Sequence, residues 1–149
     1  MTRFMPSSAN RGAGYSGTPL ARKLGIRPAM AMVVLNAPWP YAATLGLEQA
    51  PGEIGTGDAL PDGLDFVHVF TPYREELAAR LKEARHRIAP DGMIWVSWPK
   101  KASKRYSEVT EDTLRELCLP LGLVDVKVCA VDEVWSGLKL VIRHELRPR

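Results

Sequence analysis

No acidic residue occurs in the first 47 positions of this chain, where the only charges are Arg3, Arg11, Arg22, Lys23 and Arg27. The next stretch reverses the sign, with Glu48, Glu53, Asp58, Asp62 and Asp65 forming an entirely acidic segment. The front of the molecule is electrically two-toned, while the net charge is only +3. A value that small bears on solubility and weak attraction to anions and does not define a nucleic-acid groove. Cysteine is equally scarce. Cys118 and Cys129 lie in apolar patterns with no CxxC partner, which excludes a disulfide framework or a zinc knuckle and fits a reducing cytoplasm. His68, His86 and His144 are isolated and lack metal-ligand spacing, so no metal is expected.

Uninterrupted apolar runs are missing as well. The first residues carry a charge with no apolar segment behind it, so no secretory signal is expected. The uncharged stretch between Arg27 and Glu48 is long enough for a membrane span, but Asn36, Pro38, Pro40, Thr44 and Gly46 interrupt it. Two prolines so close together would leave backbone groups unpaired in lipid, so no membrane partner is expected. The chain has no internal repeats.

What is present is the composition of an ordinary globular protein: 149 residues, 46% hydrophobic and 25% charged. That size supports one α/β core. Residues 1–11 are polar and read as a flexible arm, leaving 12–149 as a single domain. Thr18 as N-cap, Pro19 at the first helical position and Gly25 frame a short helix. The run Met30 to Leu35 reads as a strand buried on both faces, and Tyr41 to Leu47 as a short helical turn. Residues 51–63, dense in glycine, proline and acids, read as loop.

The pattern is clearest in the middle. Residues 65–70 form a β-rich segment, and Thr71-Pro72 is the start signal of a helix. Its buried face carries Leu77, Leu81, Ala84 and Ile88, and Glu76 to Arg80 and Glu83 to Arg87 are spaced as supporting ion pairs. Ala89-Pro90-Asp91-Gly92 should stop that helix and Met93 to Trp98 form the next strand, giving a right-handed β-α-β unit with parallel strands. Thr110 caps a second helix with Leu114, Leu117, Cys118 and Leu121 on its buried stripe, ended by Pro120 and Gly122. Val124 to Val131 and Leu138 to Ile142 follow, too close for a crossover and therefore antiparallel.

This order over residues 64–144, with Ile88-Ala89-Pro90-Asp91-Gly92-Met93-Ile94-Trp95-Val96 turning into a strand, is similar to the C-terminal half of class I S-adenosylmethionine-dependent methyltransferases. The resemblance implies a truncated Rossmann/methyltransferase-like three-layer sandwich. Its sheet would be mixed, mostly parallel, with a C-terminal antiparallel hairpin. In that family a glycine-rich loop follows the first strand and an acidic residue the second, serving the methionine portion and the ribose hydroxyls. Here Asn36-Ala37-Pro38-Trp39-Pro40 stands in the loop's place, without glycines and with two prolines that lack an N–H. No cofactor is therefore expected. Taken whole, from Gly12-Ala13-Gly14-Tyr15-Ser16-Gly17-Thr18-Pro19 through Lys23-Leu24-Gly25-Ile26 to Trp135-Ser136-Gly137-Leu138-Lys139, the chain also resembles a bacterial family of short proteins described only as a domain of unknown function. That family supplies no catalytic residue.

Three features carry candidate chemistry. Gly12, Gly14 and Gly17 spell GxGxxG before a helix, but no strand precedes them, so an arm docked over the sheet competes with a phosphate site. His68, at the end of a parallel strand, is either a base at a crevice or a hydrogen-bonded core residue. Lys100, Lys101, Lys104 and Arg105, between Trp98 and Tyr106, follow the carboxyl end of a strand, where open α/β sheets bind ligands. Such a cluster suits an anionic ligand, with Trp39 on the same edge; the competing reading is a solvated loop. The sequence thus points to a non-catalytic cytoplasmic binding or regulatory module. Two readings stand beside it: a small methyltransferase-like enzyme acting on a nucleotide-like substrate, and a weak RNA or anion binder through residues 100–105.

Overall fold

The computed structural model of the chain describes residues 19–148. The expected arm, the Gly12, Gly14 and Gly17 motif and the Thr18 cap lie outside the described residues. Six strands form one sheet: β1 (Met32–Leu35), β2 (Gly52–Ile54), β3 (Leu64–Phe70), β4 (Ile88–Pro99), β5 (Leu123–Ala130) and β6 (Trp135–Ile142), in spatial order β2-β1-β3-β4-β6-β5. β1 pairs parallel with both β2 and β3, and β3 pairs parallel with β4. β6 runs antiparallel to β4 and to β5. This is the expected mixed α/β sheet with a terminal hairpin.

The helices are α1 (Leu20–Leu24), α2 (Tyr41–Leu45), α3 (Arg74–Arg87) and α4 (Glu111–Cys118). Strand alternation sorts the core into two clusters. One contains Val67, Val69, Ile94, Val96, Leu138 and Leu140 and packs against Leu77, Leu81, Ala84 and Leu114 of α3 and α4. The other contains Phe66, Phe70, Trp95 and Val34 and packs against Leu24 of α1 and Tyr41 of α2. Helices thus cover both faces, as three layers require. Trp95 is fully buried, and its indole N–H donates to the Leu24 carbonyl at 2.8 Å, fastening α1 to the sheet.

Several local expectations are corrected. Pro19 occupies the N-cap of α1, one place earlier than expected, and β1 begins at Met32, after a left-handed Ala29. The predicted loop at 51–63 contains β2, whose three residues are too few and too exposed to show a strand pattern. Thr71 does not cap α3. Its hydroxyl accepts from the Tyr73 N–H at 3.0 Å and donates to Glu76 at 2.5 Å, so the chain turns once more before the helix begins at Arg74. Ala89 to Gly92 do not separate helix from strand: β4 starts at Ile88, and the extra residues bulge out where its register to β3 shifts. Gly92 is required there, because a Cβ would stand 2.8 Å from the Leu64 carbonyl oxygen and 3.0 Å from that of Ala89.

The expected ion pairs along α3 are also replaced. Arg80 is buried and pairs with Glu83 at 2.9 Å, while its guanidinium donates to the carbonyls of Gly55 and Asp58. Arg87 pairs with Asp62. Arg80 thus shares Glu83 of its own helix with the loop carbonyls, and only Arg87 turns to the acidic loop for its carboxylate. Leu117 is only partly buried, at the margin of the core. Thr110 caps α4 as expected, accepting from the Thr113 N–H at 3.2 Å.

Candidate functional site

The carboxyl ends of β1, β3 and β4 and the start of antiparallel β6 lie along one edge of the sheet. From β1 the chain goes outward to β2, and from β3 it goes the other way to β4, so the edge parts between β1 and β3. A crevice of about 540 Å³ opens there, lined by Asn36, Thr56, Phe70, Tyr73, Glu76 and Trp135 among others. Each residue is delivered by a different segment. Asn36 follows β1 in the left-handed conformation that asparagine tolerates better than most residues, and Thr56 follows β2. Glu76 stands in the first turn of α3, where the helix dipole favours a carboxylate.

Glu76 gathers this edge together. One oxygen accepts from the Thr71 hydroxyl; the other accepts from Asn36 Nδ2 at 3.4 Å and from the Thr56 hydroxyl at 3.3 Å. The last two bonds are long, and hydroxyls of a ligand can replace them without leaving the carboxylate unpaired. Aromatic rings form the floor: Phe70 meets Trp135 edge-on at 5.4 Å and Trp39 at 5.6 Å. Trp39 itself is half-buried, stacked with Tyr41, and donates its indole N–H to Asp132 at 2.8 Å. It is fastened to the turn between β5 and β6, the turn to which the basic loop is also tied, but it does not line the basic cavity.

His68 resolves into a core residue. It is fully buried and shares a 2.7 Å hydrogen bond between Nδ1 and the Tyr41 hydroxyl and a 2.8 Å bond between Nε2 and the Ser97 hydroxyl. Its ring stacks on Phe70 at 4.1 Å. Burial lowers its pKa to about 3, so the ring is neutral, and burial pushes the Tyr41 phenol upward. A neutral imidazole has one donor and one acceptor nitrogen, which the two hydroxyls satisfy. His86 and His144 are exposed. Among the described residues no group of three or more His, Cys, Asp or Glu could hold a metal ion. No helix among them is long and apolar enough to cross a membrane.

Further along the same edge, Trp98, Lys100, Lys101, Lys104 and Arg105 line a second cavity of about 800 Å³, opposite the Thr110 cap and Glu111, Asp112 and Arg115 of α4. Trp98 is 6% exposed and packs in the core, so only its margin reaches the cavity. A 3-10 turn at Lys101–Ser103 and a left-handed Lys104 carry the cations. The Lys100 N–H donates to the Val134 carbonyl at 2.7 Å, tying the loop to the β5–β6 turn. Tyr106 is 65% exposed, beside the cavity and against Tyr73. The structure thus brings five of the seven sequence candidates together around one cavity, sets Tyr106 next to them and puts Trp39 on the same edge, against Phe70 at the crevice. Asn36, Thr56 and Glu76 went unread in sequence; an asparagine directly after a buried strand was the one local hint.

Comparison with known proteins places the fold. No family model matches the chain, and no curated protein matches it in sequence. The structure is similar to an S-adenosylmethionine-dependent methyltransferase from Aquifex aeolicus, with a TM-score of 0.55 and 16% identity, covering 83% of this chain and 87% of that one. It is also similar to magnesium protoporphyrin IX methyltransferase from Synechocystis PCC 6803 with bound S-adenosylmethionine, with a TM-score of 0.55 and 14% identity, covering 82% and 74%. A further likeness is to LepI in complex with S-adenosylhomocysteine and a substrate analogue, with a TM-score of 0.53 and 12% identity over 83% of this chain. The chain spans only 39% of the LepI chain. At these identities the likeness shows the fold: an α/β domain of methyltransferase type.

Proposed function

We propose that the protein is a methyltransferase-like enzyme domain that takes a nucleoside-bearing substrate in the crevice between β1 and β3. The observation that carries this reading is the crevice itself. It lies at the point where the strand order reverses, the place at which open α/β sheets bind ligands. Its lining supports a nucleoside in particular: Phe70, Tyr73 and Trp135 offer aromatic surface for a base, and Asn36, Thr56 and Glu76 offer an amide, a hydroxyl and a carboxylate for sugar hydroxyls. The likeness to structures holding S-adenosylmethionine or S-adenosylhomocysteine supports the enzyme reading over a purely structural role.

S-adenosylmethionine, which supplies an activated methyl group when bound, is the cofactor such a fold implies. The lining fits its nucleoside half and does not fit its methionine half. Pro38 and Pro40 remove N–H donors after β1, and Trp39, stacked on Tyr41 and anchored to Asp132, occupies the segment where a glycine loop would let a ligand approach. No transfer step is therefore assigned to the cofactor. This same segment favours a second reading, a non-catalytic binding module that keeps the crevice for recognition alone.

Calorimetric titration with adenosine, S-adenosylhomocysteine and S-adenosylmethionine tests these readings. The expected result is binding of adenosine with a dissociation constant below about 100 μM, about −5.5 kcal/mol, weakened at least about tenfold by Glu76→Ala. Absence of binding by all three removes the nucleoside reading. Much tighter binding of S-adenosylmethionine than of adenosine would show that the methionine half is seated after all.

A further inference from the structure

The two cavities on the carboxyl edge share a boundary. Tyr73 lines the crevice, Tyr106 adjoins the basic cavity, and their rings meet at a 43° tilt with centroids 6.3 Å apart. Both rings are exposed, at 53% and 65%, and the Tyr106 ring is held by its hydroxyl. The Tyr106 hydroxyl donates to the Glu108 carboxylate, the other oxygen of which accepts from the Arg74 N–H at 2.9 Å. The Glu108 N–H in turn donates to the Pro72 carbonyl at 2.7 Å, clamping the two tyrosine-bearing segments together. An exposed ring fixed by a hydrogen bond, beside a second ring on a clamped segment, offers a stacking platform at low entropic cost.

The loop cations of the basic cavity differ from the arginines that are held in ion pairs elsewhere. Arg74, Arg80, Arg87, Arg115 and Arg143 are all in ion pairs, and Arg115 engages both Glu111 and Asp112 at the far wall of the cavity. Among the described residues the side chains of Lys100, Lys101, Lys104 and Arg105 have no hydrogen-bonding or ion-pair partner. Four unpaired cations therefore line a cavity whose far wall carries Glu111 and Asp112, both within ion-pair distance of Arg115, so the cations outnumber the acids there. The loop that carries them is anchored at Lys100 to the Val134 carbonyl and at Ser103, which donates to the Lys100 carbonyl.

We propose that this edge binds single-stranded nucleic acid, its phosphates running along Lys100, Lys101, Lys104 and Arg105, one base stacking at Tyr73 and Tyr106, and the next entering the nucleoside crevice. The last element rests on the reading of the crevice given above; the phosphate track and the tyrosine platform stand independently of it. A duplex is disfavoured because paired bases cannot present their faces to the rings. Each phosphate neutralised on a single strand contributes about −0.7 to the slope of log affinity against log salt, so four cations give about −3.

Fluorescence anisotropy with a labelled mixed-sequence 12-nucleotide RNA tests the proposal. The expected result is binding at 50 mM salt that weakens about 50-fold by 200 mM, the factor that slope implies. Lys100→Glu, Lys101→Glu and Lys104→Glu together should abolish it with an unchanged melting temperature and unchanged adenosine titration. Tyr106→Ala should weaken RNA binding about tenfold at constant salt slope. No binding at 50 mM salt, equal binding by the triple variant, or equal binding of the matching duplex overturns the proposal. RNA binding without adenosine binding would overturn the crevice reading alone and leave the phosphate track standing.

Discussion

At the scale of single residues, the buried assembly of Tyr41, His68 and Ser97 ties α2, β3 and β4 together through one imidazole. Its protonation has a stability consequence. The folded ring has a pKa of about 3, whereas an unfolded chain's histidine titrates near about 6.5. Between those values the unfolded state binds a proton that the folded state refuses, so stability falls as the pH is lowered from about 6.5 toward 3, by about 1.4 kcal/mol per unit. Urea unfolding at successive pH values should show this slope in the wild type. His68→Phe should lower stability at pH 7 by about 2 to 3 kcal/mol, since two hydroxyls lose their partner, and should lose one proton's worth of the acid slope. Parallel slopes in the two proteins would contradict a neutral buried ring. The sequence showed His68 alternating with Phe66 and Phe70 and left base and core residue in competition. Its two hydroxyl partners, 27 and 29 positions away, decided between them.

At the scale of elements, the unit from β3 through α3 to β4 was legible because each part is long enough to display its period. Leu77, Leu81 and Ala84 are buried as their spacing requires, and Val67 and Val69 pair with Ile94 and Val96. What escaped notice was short or nonlocal. β2 has three residues; the bulge in β4 depends on how closely Gly92 approaches Leu64; and the Thr71 hydroxyl accepts from the Tyr73 N–H and donates to Glu76 instead of capping the helix. The bulge makes a direct test. Gly92→Ala would press a methyl against two backbone carbonyls that cannot turn aside, and should cost about 1 to 3 kcal/mol in denaturant unfolding. A loss below about half a kcal/mol would mean that β4 moves away from β3 at that point without strain. The crevice was illegible for a related reason. Asn36, Thr56 and Glu76 are separated by 40 positions end to end, and strand order alone brings them together. The basic cluster, contiguous in sequence, could be read directly.

At the scale of the whole molecule, the opposed functions of the two sheet edges stand out. The carboxyl edge holds both cavities, the exposed tyrosines and the unpaired cations. The other edge holds the bulge and the Asp65 carboxylate that accepts from the Ala31 N–H at 2.9 Å. The acidic segment that looked so distinctive in the sequence is turned to structural use. Asp62 meets Arg87, Asp58 accepts from the Gly55 N–H, and Arg80 holds the loop by its carbonyls, while Glu48 and Glu53 stay exposed.

The strand order also bears on how the chain assembles. β3, α3 and β4 are contiguous, as are β5 and β6, so each unit closes short loops and can form early. β1 and β2 attach by pairings to the outside of β3, β2 being a three-residue edge strand. Native-state hydrogen exchange should therefore show amides of β2 opening at the lowest free energy, then β1, with those of β3 and β4 near the global limit. Uniform protection across all four strands would contradict that order. The crevice lies on the seam between β1–β2 and the β3-α3-β4 unit, with Asn36 and Thr56 on one bank and Phe70 and Glu76 on the other. Any molecule that fills it acts as a latch, so its occupancy should be measurable as slowed exchange at Val33, Val34 and Leu35.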